Sequence, residues 1–244
     1  MRWLAGSVEL TPDTDDWLAA AERAYADRQR YTKRRSEFRA ARFTAKSAIA
    51  HALDLPRDPA VLATIEIRHE ESGAPYGCVD GQRIASQLSL TDRADWAVCL
   101  LSSGSFRVGC DLELVEPRSA AFVDDFFTEY EQRYVAGHGD PVARALAANL
   151  IWSAKESALK VLTTGLRRDT RSVEVRPEER DDGWARLDIL TAEGMPIHGW
   201  WRRYGTFVLT VASAERTAPP EMLEGGPLLD TAAPSHGWLG QPLR

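Results

Sequence analysis

Three acids and a lysine are spaced so that they could work on a phosphate group. In RVGCDLELVEPRS, residues 107 to 119, apolar and other residues alternate, so a strand here turns Val108, Cys110 and Leu112 to one face and Asp111 and Glu113 to the other. Two carboxylates on one face repel unless a cation or several donors stand between them. By itself the pair reads first as the wet face of an edge strand. In IWSAKESALK, residues 151 to 160, helical period joins Ile151, Ala154, Ala158, Val161 and Leu162 in an apolar stripe and sets Glu156 and Lys160 one turn apart on another flank. That pair alone is common surface decoration. Together the three carboxylates suit a hard divalent cation such as Mg²⁺, which takes one or two protein carboxylates plus phosphate oxygens and water. The lysine supplies positive charge for such phosphates.

A second feature has the opposite sign. In RSEFRAARFTAKSAIAHAL, Arg35, Arg39, Arg42 and Lys46 fall on one ridge of a helix, beside an apolar stripe of Phe38, Ala41, Ala45, Ile49 and Ala52. Such a ridge either spreads into solvent or holds an anion.

These residues need elements to position them. The pattern predicts a strand at 3–10, a helix entered through Thr11–Thr14 and running to about Arg30, and a helix from about Lys33 to Leu53 stopped by Leu55-Pro56. Strands at 61–68, 83–90 and 96–101 follow. The order then starts again: a strand at 106–114, helices at about 119–136 and 141–162, and strands at 172–176, 184–190 and 206–212. Asp140 as N-cap, Pro141 in the first turn and Gly165 after the last turn punctuate the long second-half helix. No residue-level repeat is evident, but the order of elements repeats, so the expected fold is α+β: two similar halves packed side by side with the active site in the cleft between them. The halves are expected at 1–104 and 105–214, with an irregular Pro/Gly-rich tail at 215–244.

Bulk properties narrow the function. A net charge of −6 argues against a general nucleic-acid binder. The three cysteines, Cys78, Cys99 and Cys110, are odd in number and lack metal-ligand spacing, which points to a reducing compartment. No basic-then-apolar leader or membrane-length apolar run is present, so the expected location is the cytoplasm, without membrane contact.

The pairing of VGCDLE with WSAKESALK, with FFTEYE at 126–131 between them, resembles the 4'-phosphopantetheinyl transferase superfamily, in particular its Sfp type of two similar halves. The resemblance extends back to the run from Arg34 to Lys46 and to SGAPY at 72–76. It implies Mg²⁺-dependent transfer of the 4'-phosphopantetheine arm of coenzyme A to a serine of an acyl, polyketide or peptidyl carrier protein, releasing 3',5'-ADP. Under it, Asp111, Glu113 and Glu156 hold the metal, Glu156 also serves as base, and Lys160 neutralises the leaving phosphate. Lys33, Arg34, Arg42, Lys46, Gly73, Pro75, Thr91 and Arg93 contact the coenzyme, and Phe122, Phe126, Phe127, Tyr130 and Tyr134 lie where the carrier docks. The chain departs from the pattern at Thr91-Asp92, where a Ser-His pair is usual beside the ribose phosphate, and at Ala74, where the Gly-Lys-Pro turn has its lysine. Three outcomes are open: Arg93 or the basic helix compensates, selectivity shifts to a coenzyme A relative without the ribose phosphate, or the chain binds a carrier or a coenzyme-like ligand without transferring the arm. The first is favoured, with a monomer as the working form, since two halves in one chain already make a cleft.

Overall fold

The chain runs twice through the same order of elements. A computed structural model describes residues 1–179 and 183–235. The first pass is β1 (Arg2–Ser7), α1 (Ala20–Asp27), α2 (Thr32–Ala52), α3 (Pro59–Thr64), β2 (Ile65–His69), β3 (Pro75–Val79), β4 (Gln82–Arg83), β5 (Leu88–Arg93) and β6 (Trp96–Leu101). The second is β7 (Val108–Leu114), α4 (Ala120–Phe126), α5 (Glu129–Ala136), α6 (Pro141–Val161), β8 (Val173–Pro177), β9 (Ala185–Thr191), β10 (Pro196–Tyr204) and β11 (Phe207–Ser213), followed by a short β12 (Glu221–Met222).

The expected α+β fold of two similar halves holds, and the repeat reaches the residues. Thr32 to Pro141 and Ala52 to Val161 are the same step of 109 residues, so α2 and α6 match end for end. α1 and α5 are related by the same step, from Ala20 to Glu129 and from Asp27 to Ala136. It carries FTAK at 43–46 onto WSAK at 152–155. Each half contains the same buried ion pair at matching positions. Lys46 Nζ lies 2.6 Å from Glu22 Oε2, and Lys155 Nζ 2.8 Å from Glu131 Oε2, with both lysine side chains wholly buried. Each ammonium also donates to two carbonyls, of Trp17 and Leu62 in the first half and of Thr170 and Val173 in the second. Each glutamate in turn accepts from a strand amide, Ile67 or Val175. A buried pair is stable only when its remaining donors and acceptors are satisfied in this way.

The second half forms one sheet in the order β7-β11-β10-β9-β8. The first half follows the same order but is split, β12-β1-β6-β5 being separate from β2-β3-β4. Period-two alternation decides the layers. On β1 and β6, Trp3, Ala5, Val98 and Leu100 meet Cys110, Leu112, Leu114, Leu209 and Val211 of the other half in a core between the sheets. Leu4, Cys99 and Leu101 face the opposite way onto Ala45, Ala48 and Ile49 of α2. Val208 and Ala212 likewise face Ile151, Ala154 and Ala158 of α6. The two sheets therefore lie face to face between the two long helices.

Several expected elements differ. The first helix begins only at Ala20, and residues 61–64 end a helical turn rather than start a strand, because Pro59 opens it and Asp58 caps it by accepting from the Val61 amide at 3.1 Å. The strand expected at 83–90 divides into β4 and β5. The helix expected at 119–136 breaks at Phe127, since Thr128 and Glu131 form a reciprocal capping box that starts α5. β3 and β10 were not expected. The tail is not all irregular: β12 pairs in parallel with β1, and Leu223 and Leu229 are buried.

Candidate active site

Two sheet edges meet where the acids lie. β5 and β7 are edge strands of different sheets, and side-chain hydroxyls rather than a backbone ladder connect them. Ser89 Oγ accepts from the Cys110 amide at 3.0 Å and Thr91 Oγ1 from the Leu112 amide at 3.2 Å. Both strand edges are thereby covered without merging the sheets. With Cys110 and Leu112 in the core between the sheets, Asp111 and Glu113 face the α6 side, as alternation requires.

The helix lies unusually close to β7. A Cβ built on Gly109 would stand 1.9 Å from the Ser157 carbonyl oxygen, so only glycine admits this approach. Ser153 Oγ donates to the Asp111 carbonyl, and Ser153 and Ser157 both bond Thr210 Oγ1 at 2.8 Å. This contact brings Lys160 Nζ to 3.0 Å from Asp111 Oδ1 and 2.7 Å from the Cys110 carbonyl. Burial alone would pull the Lys160 ammonium down, but Asp111, Cys110 and Glu156 around it leave its pKa raised. Burial and the Asp111 charge both push Glu156 up, with Lys160 opposing. They push Glu113 to about 7, against Arg118 and Arg93.

The donor set has the chemistry of a hard-cation site. Asp111 Oδ2 and Glu156 Oε1 are buried without a hydrogen-bond partner, whereas Glu113 Oε2 is held in ion pairs, so two of the three acids keep an oxygen in reserve. They do not form a finished ligand cage. Among the described residues, no three acid, histidine or cysteine side chains are grouped to hold a metal ion, and Glu113 lies 3.2 Å from Arg93 and 3.1 Å from Arg118. Asp111 is the shared neighbour: its charge acts on both Glu113 and Glu156.

Beside Lys160 opens a cleft of about 1160 Å³ walled by both halves. Of the residues expected to contact a coenzyme, Arg34, Arg42, Gly73 and Pro75 line it, with Gly73 at φ 90° in the turn between β2 and β3. Arg42 stands 3.6 Å from Glu22 with its guanidinium over the Phe38 ring. The other expected contacts differ. Lys46 is a correction: its ammonium is sealed inside the first half with Glu22 and does not reach the cleft. Lys33 lies 3.8 Å from Glu37 on its own helix and is not among the lining residues. Thr91 is occupied at the seam, and Arg93 turns to Glu113 and to Glu116 at 2.7 Å. The basic ridge is likewise largely neutralised, Arg35 and Arg39 both reaching Asp15. Arg83, Arg107 and Arg167 line the cleft and were missed, because they come from a hairpin, a strand entry and a short turn that no motif joins. In the aromatic segment Phe127 is core, while Phe122 and Phe126 pack on Trp152.

Residues 107–212 match the 4'-phosphopantetheinyl transferase superfamily. It is the superfamily that the motifs resemble, and the matched span, less than half of the chain, runs from the acids of β7 through α6 to β11. Among solved structures the chain is similar to holo-[acyl-carrier-protein] synthase (AcpS) from Neisseria meningitidis, at 18% identity over 45% of this chain and 98% of that one, with a TM-score of 0.36. No curated protein matches the chain significantly. The superfamily's chemistry is transfer of a phosphopantetheine group. Among the described residues no helix is long and apolar enough to cross a membrane.

Proposed function

We propose that this chain transfers the 4'-phosphopantetheine arm of coenzyme A to a serine hydroxyl of an acyl, polyketide or peptidyl carrier protein, as an Sfp-type member working as a monomer. The observation that carries the reading is Lys160, which lines a cleft built by both halves and bonds Asp111, whose charge in turn acts on Glu113 and Glu156. The serine oxygen attacks the phosphorus joined to the pantetheine, the phosphoanhydride bond breaks, and 3',5'-ADP leaves with the bonding electrons. Asp111, Glu113 and Glu156 are the residues that would hold Mg²⁺, which supplies Lewis-acid stabilisation to the pyrophosphate when bound. Glu156, whose pKa is raised by burial and by the Asp111 charge, takes the serine proton. Lys160, held in its charged form by Asp111, faces the charge that builds on the leaving phosphate.

The test is to incubate the protein with coenzyme A, Mg²⁺ and apo carriers of the three classes and weigh each carrier. A gain of one phosphopantetheine mass is expected, lost on chelation of the metal. No gain on any of the three would defeat the proposal.

A further inference from the structure

The cleft holds more positive charge than its own acids account for. Arg42 faces Glu22, Arg83 lies 2.7 Å from Glu70, and Lys160 bonds Asp111. Arg107 and Arg167 differ: both line the cleft, and the contacts they make among the described residues are with neutral groups. Arg107 donates to Thr163 Oγ1 at 3.0 Å, and Arg167 to the Thr163 carbonyl at 3.4 Å and the Ser72 carbonyl at 3.1 Å. Two guanidiniums from separate elements thus converge on one residue. Like charges so placed repel, and a doubly charged anion between two planar donor forks would turn that repulsion into attraction.

Thr163 itself is unusual. Its φ is 56°, a left-handed conformation that β-branched residues rarely adopt and that persists only where surrounding contacts enforce it, often at ligand clamps. Its amide bonds the Lys160 carbonyl at 3.1 Å, which places the arginine pair one turn beyond the lysine.

Resting on the phosphopantetheine-transfer reading, we infer that Arg107 and Arg167, held by Thr163, clamp the ribose phosphate monoester of coenzyme A. The ligand carries charge at two places, its pyrophosphate and this monoester. Lys160 and the acids serve the pyrophosphate. Asp92 also lines the cleft and lies within electrostatic reach of Lys160 and Asp111, so it repels a second anion from that end. Lys46 is sealed away and Arg93 is engaged at the seam, which leaves the Thr163 lip, in the cleft that Arg34 also lines, as the cationic place for the monoester.

Isothermal titration of the full chain with coenzyme A and with dephospho-coenzyme A, which lacks the monoester, decides this. Arg107→Gln and Arg167→Gln are each expected to weaken coenzyme A binding about tenfold while leaving dephospho-coenzyme A within about twofold. The double variant should bind the two ligands alike, with an unchanged melting temperature. Unchanged affinity for coenzyme A in the variants, or equal weakening of both ligands, would overturn the clamp and leave the transferase reading standing. A wild-type protein that binds neither ligand would bring down that reading and the clamp together.

Discussion

Lys160 is the residue on which the local chemistry turns. It bonds Asp111 and the Cys110 carbonyl and lines the cleft, so under the proposed function its charge is shared between holding Asp111 and meeting a phosphate. Lys160→Gln keeps much of the length and removes the charge. Holo-carrier formation should fall by about 10²–10³-fold, the usual cost of losing one preorganised donor at a developing charge, with the far-ultraviolet circular dichroism unchanged. Asp111→Asn should lower turnover at least as far and raise the metal concentration needed for half-maximal rate. A metal requirement that does not move would remove Asp111 from the ligand set. The acids and Lys160 were legible because strand and helix periods alone orient them. The fate of the basic ridge was not, because Asp15 and Glu22, which absorb its charge, come from a different part of the first half. One clue was available: FTAK at 43–46 and WSAK at 152–155 are the same pattern, and they give Lys46 and Lys155 the same buried job.

At the scale of elements, the contact of α6 with β7 and the two buried ion pairs do most to fix the framework. Gly109→Ala must push the helix off the strand, because the obstacle is backbone; the expected loss is on the order of 1–3 kcal/mol in urea unfolding, as for other overpacked sites. Lys155→Met strands Glu131 in the core and should cost about 3–5 kcal/mol. Lys46→Met should cost a similar amount in the first half, and a much smaller loss there would show that the two pairs are not equivalent. The long helices were readable to within a residue or so, since Asp140, Pro141 and Leu55-Pro56 mark their ends. β10 was hidden by its own composition. Its Pro196 and Gly199 read as breakers, yet Gly199 is there because a Cβ would stand 2.4 Å from the Val211 carbonyl oxygen of the neighbouring strand. Thr128 and Glu131 carry the capping-box spacing that separates α4 from α5, a signal that the continuous aromatic pattern masked.

For the molecule as a whole, duplication explains the distribution of labour. Both halves keep the ion pair and the long helix, but only the second has acids at both β7 and α6; the residue one step of 109 before Glu156 is Ser47. The two halves were visible from the order of elements, whereas the division of the first sheet and the return of the tail were not, because both depend on contacts remote in sequence. That return ties the end of the chain to its start: the Leu223 amide bonds the Trp3 carbonyl at 2.7 Å and the Glu221 amide the Met1 carbonyl at 3.1 Å. Ending the chain after Thr217 removes these bonds and the burial of Leu223 and Leu229, and should lower stability by roughly 3–6 kcal/mol at about 1.5–3 kcal/mol per leucine. The parallel pairing of β12 with β1 also has a mechanical meaning. If the protein were pulled by its two ends, the strands would be drawn past each other lengthwise. Their hydrogen bonds would then bear the load together instead of opening one after another, so this short clasp should give the first resistance before either half is stretched.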